Sequence, residues 1–272
     1  MQSRIAGEIG LKTHPVAITW ADRPPDNALR FKPGAWGCVV NLIAAVATKG
    51  NVAAFDRHTY GCWGGGVGLG FGNQYESFPG GIDGFCRFLS NGNELDAGGK
   101  RLGEQMAQGP GARMSEDFLH GERYLVNSEC TARFLQALPM RDLGEKFVVV
   151  KPLEKVDAIA EEIKSVTFFV EPDALSALVI LANYTRPELE NVAVPWGAGC
   201  QVMGIFAYRE LERREPRALV GMTDISARKN TRHLLGENMM SFTAPWPVFL
   251  AMERHVDGSF LQRETWRALQ GN

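Results

Sequence analysis

Apolar positions recur in the first 60 residues with the spacing of one strand and one helix. The segment VAITW at 16–20 alternates well enough for a β-strand. Residues 38–47 are apolar at helical density and are followed by Lys49 and Gly50. A basic residue and a glycine are typical of a helix C-terminus. The pattern therefore predicts a strand and a helix before residue 60.

The second half of the chain carries a pattern that occurs twice. FVVVKP at 147–152 and VTFFVEP at 166–172 are β-branched runs that each reach a proline, a residue typical of the first position of a helix. They predict two strands followed by helices over 153–164 and 173–184. Further helices are expected from Asn127 or Ser128 and over 248–270, with a break at Asp257 and Gly258. These elements predict an α+β fold: one globular unit, a single domain over 1–272, with a mixed sheet flanked by helices.

Residues 61–121 differ from the rest because they hold more than half of the chain's 30 glycines. Glycine loses more backbone entropy on folding than other residues, so such density serves turns and close approaches or marks poor order. Interleaved aromatic residues favour order. We therefore predict a long Gly-rich loop region over 61–121, an elaboration of the domain, with short helices at 82–90 and from Ser115.

Composition narrows the classes of partner. The chain has 272 residues, is 45% hydrophobic and 22% charged, and has a formal net charge of −2, so no basic excess favours nucleic acid. No apolar run approaches the length of a membrane span, and the N-terminus does not resemble a signal peptide. Five cysteines, an odd number, favour reduced thiols. We expect a cytoplasmic protein without a membrane partner. The sequence does not decide whether the protein forms a homo-oligomer.

Three of the cysteines share a local setting. They lie in AWGC at 35–38, YGCWGGG at 60–66 and PWGAGC at 195–200. Each of Cys38, Cys62 and Cys200 has a glycine beside or near it and a tryptophan within four residues. Glycines leave room for an iron–sulfur cluster and expose amides to its sulfurs, and a helix N-terminus favours a thiolate. We therefore predict that these three thiolates bind an iron–sulfur cluster or another metal cofactor, with a redox or cofactor-handling role.

The loop beside Cys62 is the predicted cofactor cradle. Trp63, Gly64, Gly65 and Gly66 are expected to pack over the cofactor, and Trp36, Trp63 and Trp196 to exclude water from it. Residues 64–72 lack the third glycine of a dinucleotide fingerprint, and no Walker lysine is present.

Other interpretations compete with this one. Free cysteine often packs as a small hydrophobe, and the sequence contains no CxxC pair. Cys86 and Cys130 lie in helical segments and are weaker candidates for a fourth ligand. In a metal-free alternative, the glycine loop and Arg228 bind an anionic small molecule. In a third, Cys62 is a nucleophile with His58 as its base.

The sequence also resembles a prokaryotic family known as domain of unknown function 169. The resemblance lies in seven segments: HPVA at 14–17, WGC at 36–38, GCWGGGVGLG at 61–70, FPGG at 78–81, DALSAL at 173–178, GC at 199–200 and DISARK at 224–229. They span nearly the whole chain. The resemblance implies no catalytic residue. Its association with anaerobic bacteria and archaea favours iron–sulfur chemistry.

Overall fold

The computed structural model describes residues 1–108 and 112–271, except the side chain of Arg113. The chain forms two compact units. One unit comprises Met1–Gly72 together with the chain from Arg141 onward, and the other comprises Asn73–Met140. The boundaries of the second unit differ from the predicted elaboration over 61–121, and the single domain stays a prediction.

The first unit contains a seven-stranded sheet within the described residues. Its strands are β1 (Val16–Ala21), β2 (Ala53–Phe55), β3 (Phe147–Pro152), β4 (Ile163–Val170), β5 (Val192–Ala193), β6 (Ala218–Gly221) and β7 (Met240–Pro245). Their order is β2-β3-β1-β4-β7-β6-β5. The β5–β6 pair is parallel and the other pairs are antiparallel. The predicted α+β class with a mixed sheet is confirmed.

The helices are α1 (Arg4–Glu8), α2 (Val39–Lys49), α3 (Trp63–Leu69), α4 (Gly81–Leu89), α5 (Ala97–Ala107), α6 (Ala112–His120), α7 (Ser128–Ala137), α8 (Pro172–Asn183), α9 (Gly199–Gln201), α10 (Ala207–Leu211), α11 (Ile225–Leu235), α12 (Trp246–Arg254) and α13 (Glu264–Leu269). A π-helical turn, Val202–Phe206, joins α9 to α10, and 3₁₀ turns lie at Gln74–Ser77, Leu153–Lys155 and Phe260–Gln262. No helix of the described residues is both long and apolar enough to cross a membrane.

The two faces of the sheet differ in what covers them. Side chains alternate along a strand, so Val166, Phe168 and Val170 of β4 point to one face and join the apolar core there. Helices α8 and α12 pack on that face. On the opposite face the Ser165 hydroxyl donates to the Met203 carbonyl of the π-helical turn at 3.4 Å. That opposite face carries the elements in which the three cysteines of interest lie.

Two predictions about secondary structure fail for local reasons. The expected helix over 153–164 is only the turn Leu153–Lys155, because the chain turns at Asp157 and enters β4 at Ile163. The Asp157 carboxylate accepts the amide N–H of Ile159 at 3.0 Å and holds that turn. The predicted Gly-rich loop over 61–121 is instead mostly helical in its described residues, since α3 to α6 occupy it. The expected short helix at 82–90 is present as α4. The second is present as α6, but it begins at Ala112, so Ser115 lies within the helix and is not its N-cap.

The second unit is built around aromatic side chains. The rings of Tyr75 and Phe85 stack with centroids 3.9 Å apart, and Phe78 meets Phe85 edge to face at 5.2 Å. Phe118 of α6 is fully buried and stacks on Phe78. Such pairs dominate the packing of a small unit because each ring buries a large apolar area.

Candidate functional site

Cys38 is the N-cap of α2. Its backbone is extended, and the helix ends at Gly50, which adopts a left-handed conformation with φ of 69°. The amides of Val40 and Asn41, in the first turn of α2, act on the Cys38 sulfur and favour its charged form. The side chain is half-buried. The sequence thus places this sulfur at the N-terminal end of a helix, where the amides of the first turn favour negative charge.

Cys62 has the same position on α3. Its Sγ accepts a hydrogen bond from the amide N–H of Gly65 at 3.3 Å. The amide of Val39, the first residue of α2, also acts on this sulfur. Cys62 therefore lies where the N-termini of α2 and α3 meet.

Cys200 lies in the first turn of α9 and is buried. Its thiol donates to the carbonyl oxygen of Gly64 at 3.3 Å, which fixes it against α3. The α9 segment continues through the π-helical turn into α10. Cys200 therefore lies near Cys62 in the fold although the two residues are far apart in sequence.

The three thiols are close enough to interact electrostatically. Negative charge on Cys62 raises the pKa of Cys38 and of Cys200, and charge on Cys38 also raises the pKa of Cys200. The structure therefore brings Cys38, Cys62 and Cys200 into one neighbourhood, which we call the thiol site. Whether they are metal ligands stays a prediction.

A fourth ionisable group, Asp224, belongs to the same neighbourhood. It is the N-cap of α11, and one carboxylate oxygen accepts the amide N–H of Ala227 at 3.0 Å. The other accepts the amide N–H of Gly199, the residue before Cys200, at 2.9 Å. Its charge raises the pKa of all three thiols, and burial raises its own pKa. The sequence analysis included Asp224 only in the family segment at 224–229 and gave it no site role, although an aspartate before the helical run at 225–235 is a recognisable N-cap signal.

Glycines near the thiols let backbones approach closely. A Cβ on Gly65 would lie 2.2 Å from a methyl carbon of Val39. A Cβ on Gly68 would lie 3.0 Å from the sulfur of Cys200 and 2.9 Å from the amide nitrogen of Gln201. The expected role of these glycines in close approach is therefore visible in the packing of α3, but they lie in a helix and not in a loop. Their role in holding a cofactor stays a prediction.

The thiols are protonated in the metal-free molecule. Burial raises the pKa of Cys38 to about 12 and also raises the pKa of Cys62 and Cys200. The amide N–H groups at the helix ends oppose this rise, but burial is the larger effect. The helix ends therefore do not by themselves produce the thiolates that the sequence predicted.

Two of the three tryptophans near the thiols are exposed. Trp36 is 55% exposed and Trp196 is 40% exposed, while Trp63 at the start of α3 is half-buried. Trp36 and Trp196 therefore have large solvent-exposed fractions, and their role in keeping water from the thiol site stays a prediction.

The Arg228 side chain makes hydrogen bonds to backbone carbonyl groups of its own unit. Its guanidinium donates to the carbonyl oxygens of Met239 at 2.9 Å and Glu237 at 2.8 Å, and so ties α11 to the segment before β7. The same side chain borders a cavity of about 60 Å³, too small for a nucleotide. Binding of an anionic ligand by Arg228 stays a prediction.

The remaining candidates have other neighbours. Cys86 lies in α4 and Cys130 in α7, and the charges that act on the Cys86 thiol are Asp83 and Arg87 of its own helix. His58 has an exposed side chain, and its amide N–H donates to Asp56. Among the described residues, no hydrogen bond joins His58 to Cys62. A nucleophilic Cys62 with His58 as its base stays a prediction.

In the described part of the chain, no group of three or more His, Cys, Asp or Glu side chains is arranged to hold a metal ion. The three thiols and Asp224 are therefore neighbours without being arranged as the ligands of one ion.

The fold and the thiol site together define an α+β protein with a seven-stranded sheet and a cluster of thiols at converging helix ends. The chain matches the model of the DUF169 family, described as "Uncharacterised ArCR", over residues 4–255. It belongs to that family, as the resemblance in its motifs indicated. No curated protein and no solved structure matches the chain.

Proposed function

We propose that this protein binds an iron–sulfur cluster, or another metal held by thiolates, through Cys38, Cys62 and Cys200, and that it has a redox or cofactor-handling role in the cytoplasm. The observation that carries the proposal is the interaction of three thiols that are far apart in sequence. Cysteine can be buried anywhere as a small hydrophobe. Three thiols that the fold brings together from distant parts of the chain are an arrangement that a shared ligand would explain.

The chemistry of the donor set supports a soft metal. Thiolates select iron–sulfur clusters, zinc and copper(I) over hard cations. Binding replaces three thiol protons by the metal, so the positive charge of the metal offsets the repulsion between the sulfurs. When bound, an iron–sulfur cluster supplies one-electron transfer.

The backbone around the sulfurs supports the same assignment. The amide of Gly65 hydrogen-bonds Cys62, and the amides of Val40 and Asn41 act on Cys38. Hydrogen bonds to ligating sulfurs stabilise their charge and raise the reduction potential of a cluster. In the metal-free molecule these donors are outweighed by burial, whereas towards a metal-bound thiolate they are favourable.

Two buried oxygen atoms beside the site lack partners within the described structure. They are Oδ1 of Asn41, which follows Cys38 by three residues, and Oγ1 of Thr223, which precedes Asp224. A buried polar atom without a hydrogen bond costs about 1–3 kcal/mol. Unpartnered oxygen atoms beside the thiols support the proposal that a ligand with polar groups binds at this site.

The test is purification of the full chain without oxygen, followed by iron and acid-labile sulfide analysis and absorption spectroscopy. We expect iron, sulfide and a charge-transfer band near 400 nm, and each should fall by more than about tenfold in Cys38→Ser, Cys62→Ser and Cys200→Ser. Cys130→Ser is the matched control and should keep the wild-type values. The absence of iron, sulfide and any other thiolate-bound metal from the wild-type chain, also after reconstitution, would overturn the proposal.

A further inference from the structure

A cleft lies on the face of the sheet that is opposite the thiol site. It has a volume of about 240 Å³ and is formed by α8, α12 and the segment just before β6, all within the first unit. Helices α8 and α12 cover the sheet face to which Phe168 of β4 points, so the sheet separates this cleft from the cysteines. The cleft is therefore independent of the metal site proposed above.

The floor of the cleft is apolar. Leu181 of α8 and Val248 and Met252 of α12 line it, and all three are buried members of the apolar core. Ala182 and Ala251 also line it, and such small side chains leave space between the two helices. Because the share of one water molecule in liquid water is about 30 Å³, an apolar body of roughly eight to ten non-hydrogen atoms fits this space.

The wall formed by the segment before β6 is held in place. The Arg186 guanidinium, just after the end of α8, donates to the Pro216 carbonyl oxygen at 2.7 Å. Pro216 and Pro247 both line the cleft, and proline has a restricted backbone. A cleft that is already formed and has stiff walls loses little conformational entropy when a ligand binds.

The polar side chains of the cleft are mainly basic. Arg186, Arg214 and His255 line it, together with the carboxylate of Glu215. The two guanidinium groups remain charged at any physiological pH. Their charges together exceed that of the single carboxylate, so the cleft favours an anionic ligand.

The arginines of this region differ in whether they have partners. Arg213 and Arg217 both form salt bridges with the fully buried Glu210. Neither Arg186 nor Arg214 forms a salt bridge within the part of the chain that the structure describes, and Arg186 has the Pro216 carbonyl as its partner. Arg214 is exposed, and its guanidinium can pair with a ligand without breaking a contact of the protein.

We propose that this cleft binds a small carboxylic acid, whose apolar body packs between α8 and α12 and whose carboxylate pairs with Arg214. Guanidinium and carboxylate match in geometry and form two parallel charge-assisted hydrogen bonds. An alcohol of the same shape leaves the guanidinium without an ion-pair partner. The proposal goes beyond the proposed metal site and does not depend on it.

The test titrates the full chain with phenylacetate and hexanoate, and with phenylethanol and hexanol as their uncharged counterparts. Isotope-labelled methionine methyl groups report the site by NMR, with the Met252 resonance assigned from Met252→Leu. We expect both carboxylates to shift the Met252 resonance with dissociation constants near or below about 1 mM. The alcohols should bind about tenfold more weakly. The resonance of Met222, which borders the cavity at Arg228, should not move.

Three variants assign the contacts. Arg214→Gln should weaken the binding of both carboxylates about tenfold and leave the binding of the alcohols unchanged. Ala251→Leu fills the cleft and should abolish the binding of all four compounds. Arg254→Gln is the matched control, since Arg254 is an exposed arginine of α12 outside the lining of the cleft, and it should bind like the wild type.

The outcomes are distinct from those of the metal analysis. Cys62→Ser should bind the carboxylates as the wild type does, whether or not the wild-type chain holds a metal. A Met252 resonance that neither carboxylate moves at up to about 10 mM would overturn the cleft as a carboxylate site. Equal affinity for acids and alcohols, or unchanged acid binding in Arg214→Gln, would equally refute it. If Ala251→Leu does not fold, the exposed and unpaired position of Arg214 lets Arg214→Gln decide.

Discussion

Two glycine-rich regions of this chain fold differently. In the first unit, glycines of α3 let its backbone touch α2 and α9, and the side chains that meet there are thiols. In the second unit, glycines lie among aromatic residues, and rings such as Tyr75 and Phe85 fill the interior. Glycine density therefore predicts close approach of chain segments. The residues that come with the glycines decide whether the contact is an apolar core or a polar site.

The first prediction concerns the reactivity of the thiols. In metal-free protein, Cys38 has a pKa of about 12 against an ordinary value of 9.0, so near pH 7.5 its thiolate fraction is about a thousandfold smaller than in an unfolded chain. A thiolate of higher pKa is more nucleophilic, which recovers part of the rate. We expect iodoacetamide to modify Cys38 about 50-fold more slowly in the folded than in the urea-unfolded chain.

Mass spectrometry of the Cys38 peptide measures this rate. Because the pKa is raised, the folded-state rate should climb about tenfold per pH unit between pH 7 and 10. Equal labelling rates in the folded and unfolded chains at pH 7.5 would contradict the burial of this thiol.

A second prediction contrasts the glycines of the two regions. A Cβ on Gly204, in the π-helical turn, would lie 2.0 Å from the carbonyl oxygen of Gly68, and backbone cannot easily move aside. A Cβ on Gly103, in α5, would lie 2.4 and 2.6 Å from two carbons of the Leu119 side chain and 3.2 Å from the Phe118 ring, so it would meet side chains and not backbone. Gly204→Ala should lower the free energy of unfolding by about 2–3 kcal/mol.

Gly103→Ala is the control and should stay within about 1 kcal/mol of the wild type, because better helix propensity offsets the shift of Leu119. Urea denaturation of the metal-free chains measures both. Equal losses in the two variants would show that backbone contact at α3 is no tighter than side-chain packing in the second unit.

The smallest expected effect is a difference in the free energy of unfolding between variants at Arg228 and at Lys229. Arg228→Ala removes hydrogen bonds to the carbonyls of Glu237 and Met239 and should lower the free energy of unfolding by about 1–2 kcal/mol. Lys229→Ala, at an exposed position, should change it by less than about 0.5 kcal/mol. Thermal denaturation distinguishes them. If Arg228→Ala leaves stability unchanged but abolishes stabilisation by an added anion, Arg228 is a ligand-binding residue.

The regular parts of the fold were accessible from sequence because their signals are local. The helix ending at Lys49 and Gly50 and the helix beginning after Asn127 appear as α2 and α7, with the expected caps. Helix α3 was missed, since its sequence WGGGVGL has almost no intrinsic helix propensity and only tertiary contacts make it helical. The strand order depends on pairings across the whole chain and carries no local signal.

The candidate site was accessible only in part. The shared Trp and Gly neighbours of Cys38, Cys62 and Cys200 marked three cysteines that the structure brings into one neighbourhood. The position of Asp224 beside these cysteines could not be predicted, because its contact with Gly199 joins two helix ends that are distant in sequence. The protonation of the thiols also escaped, since it depends on burial, which motifs do not reveal.

The composition of α3 has a consequence for the biogenesis of the protein. Four of its seven residues are glycines, and each costs about 1 kcal/mol relative to alanine in a helix. A helix this short and this weak does not persist on a nascent chain. Cys62 reaches its final position only after the segments that pack on α3, which include α9, have been synthesised. Any ligand that needs Cys62 in its final position would therefore bind only after most of the chain has been synthesised.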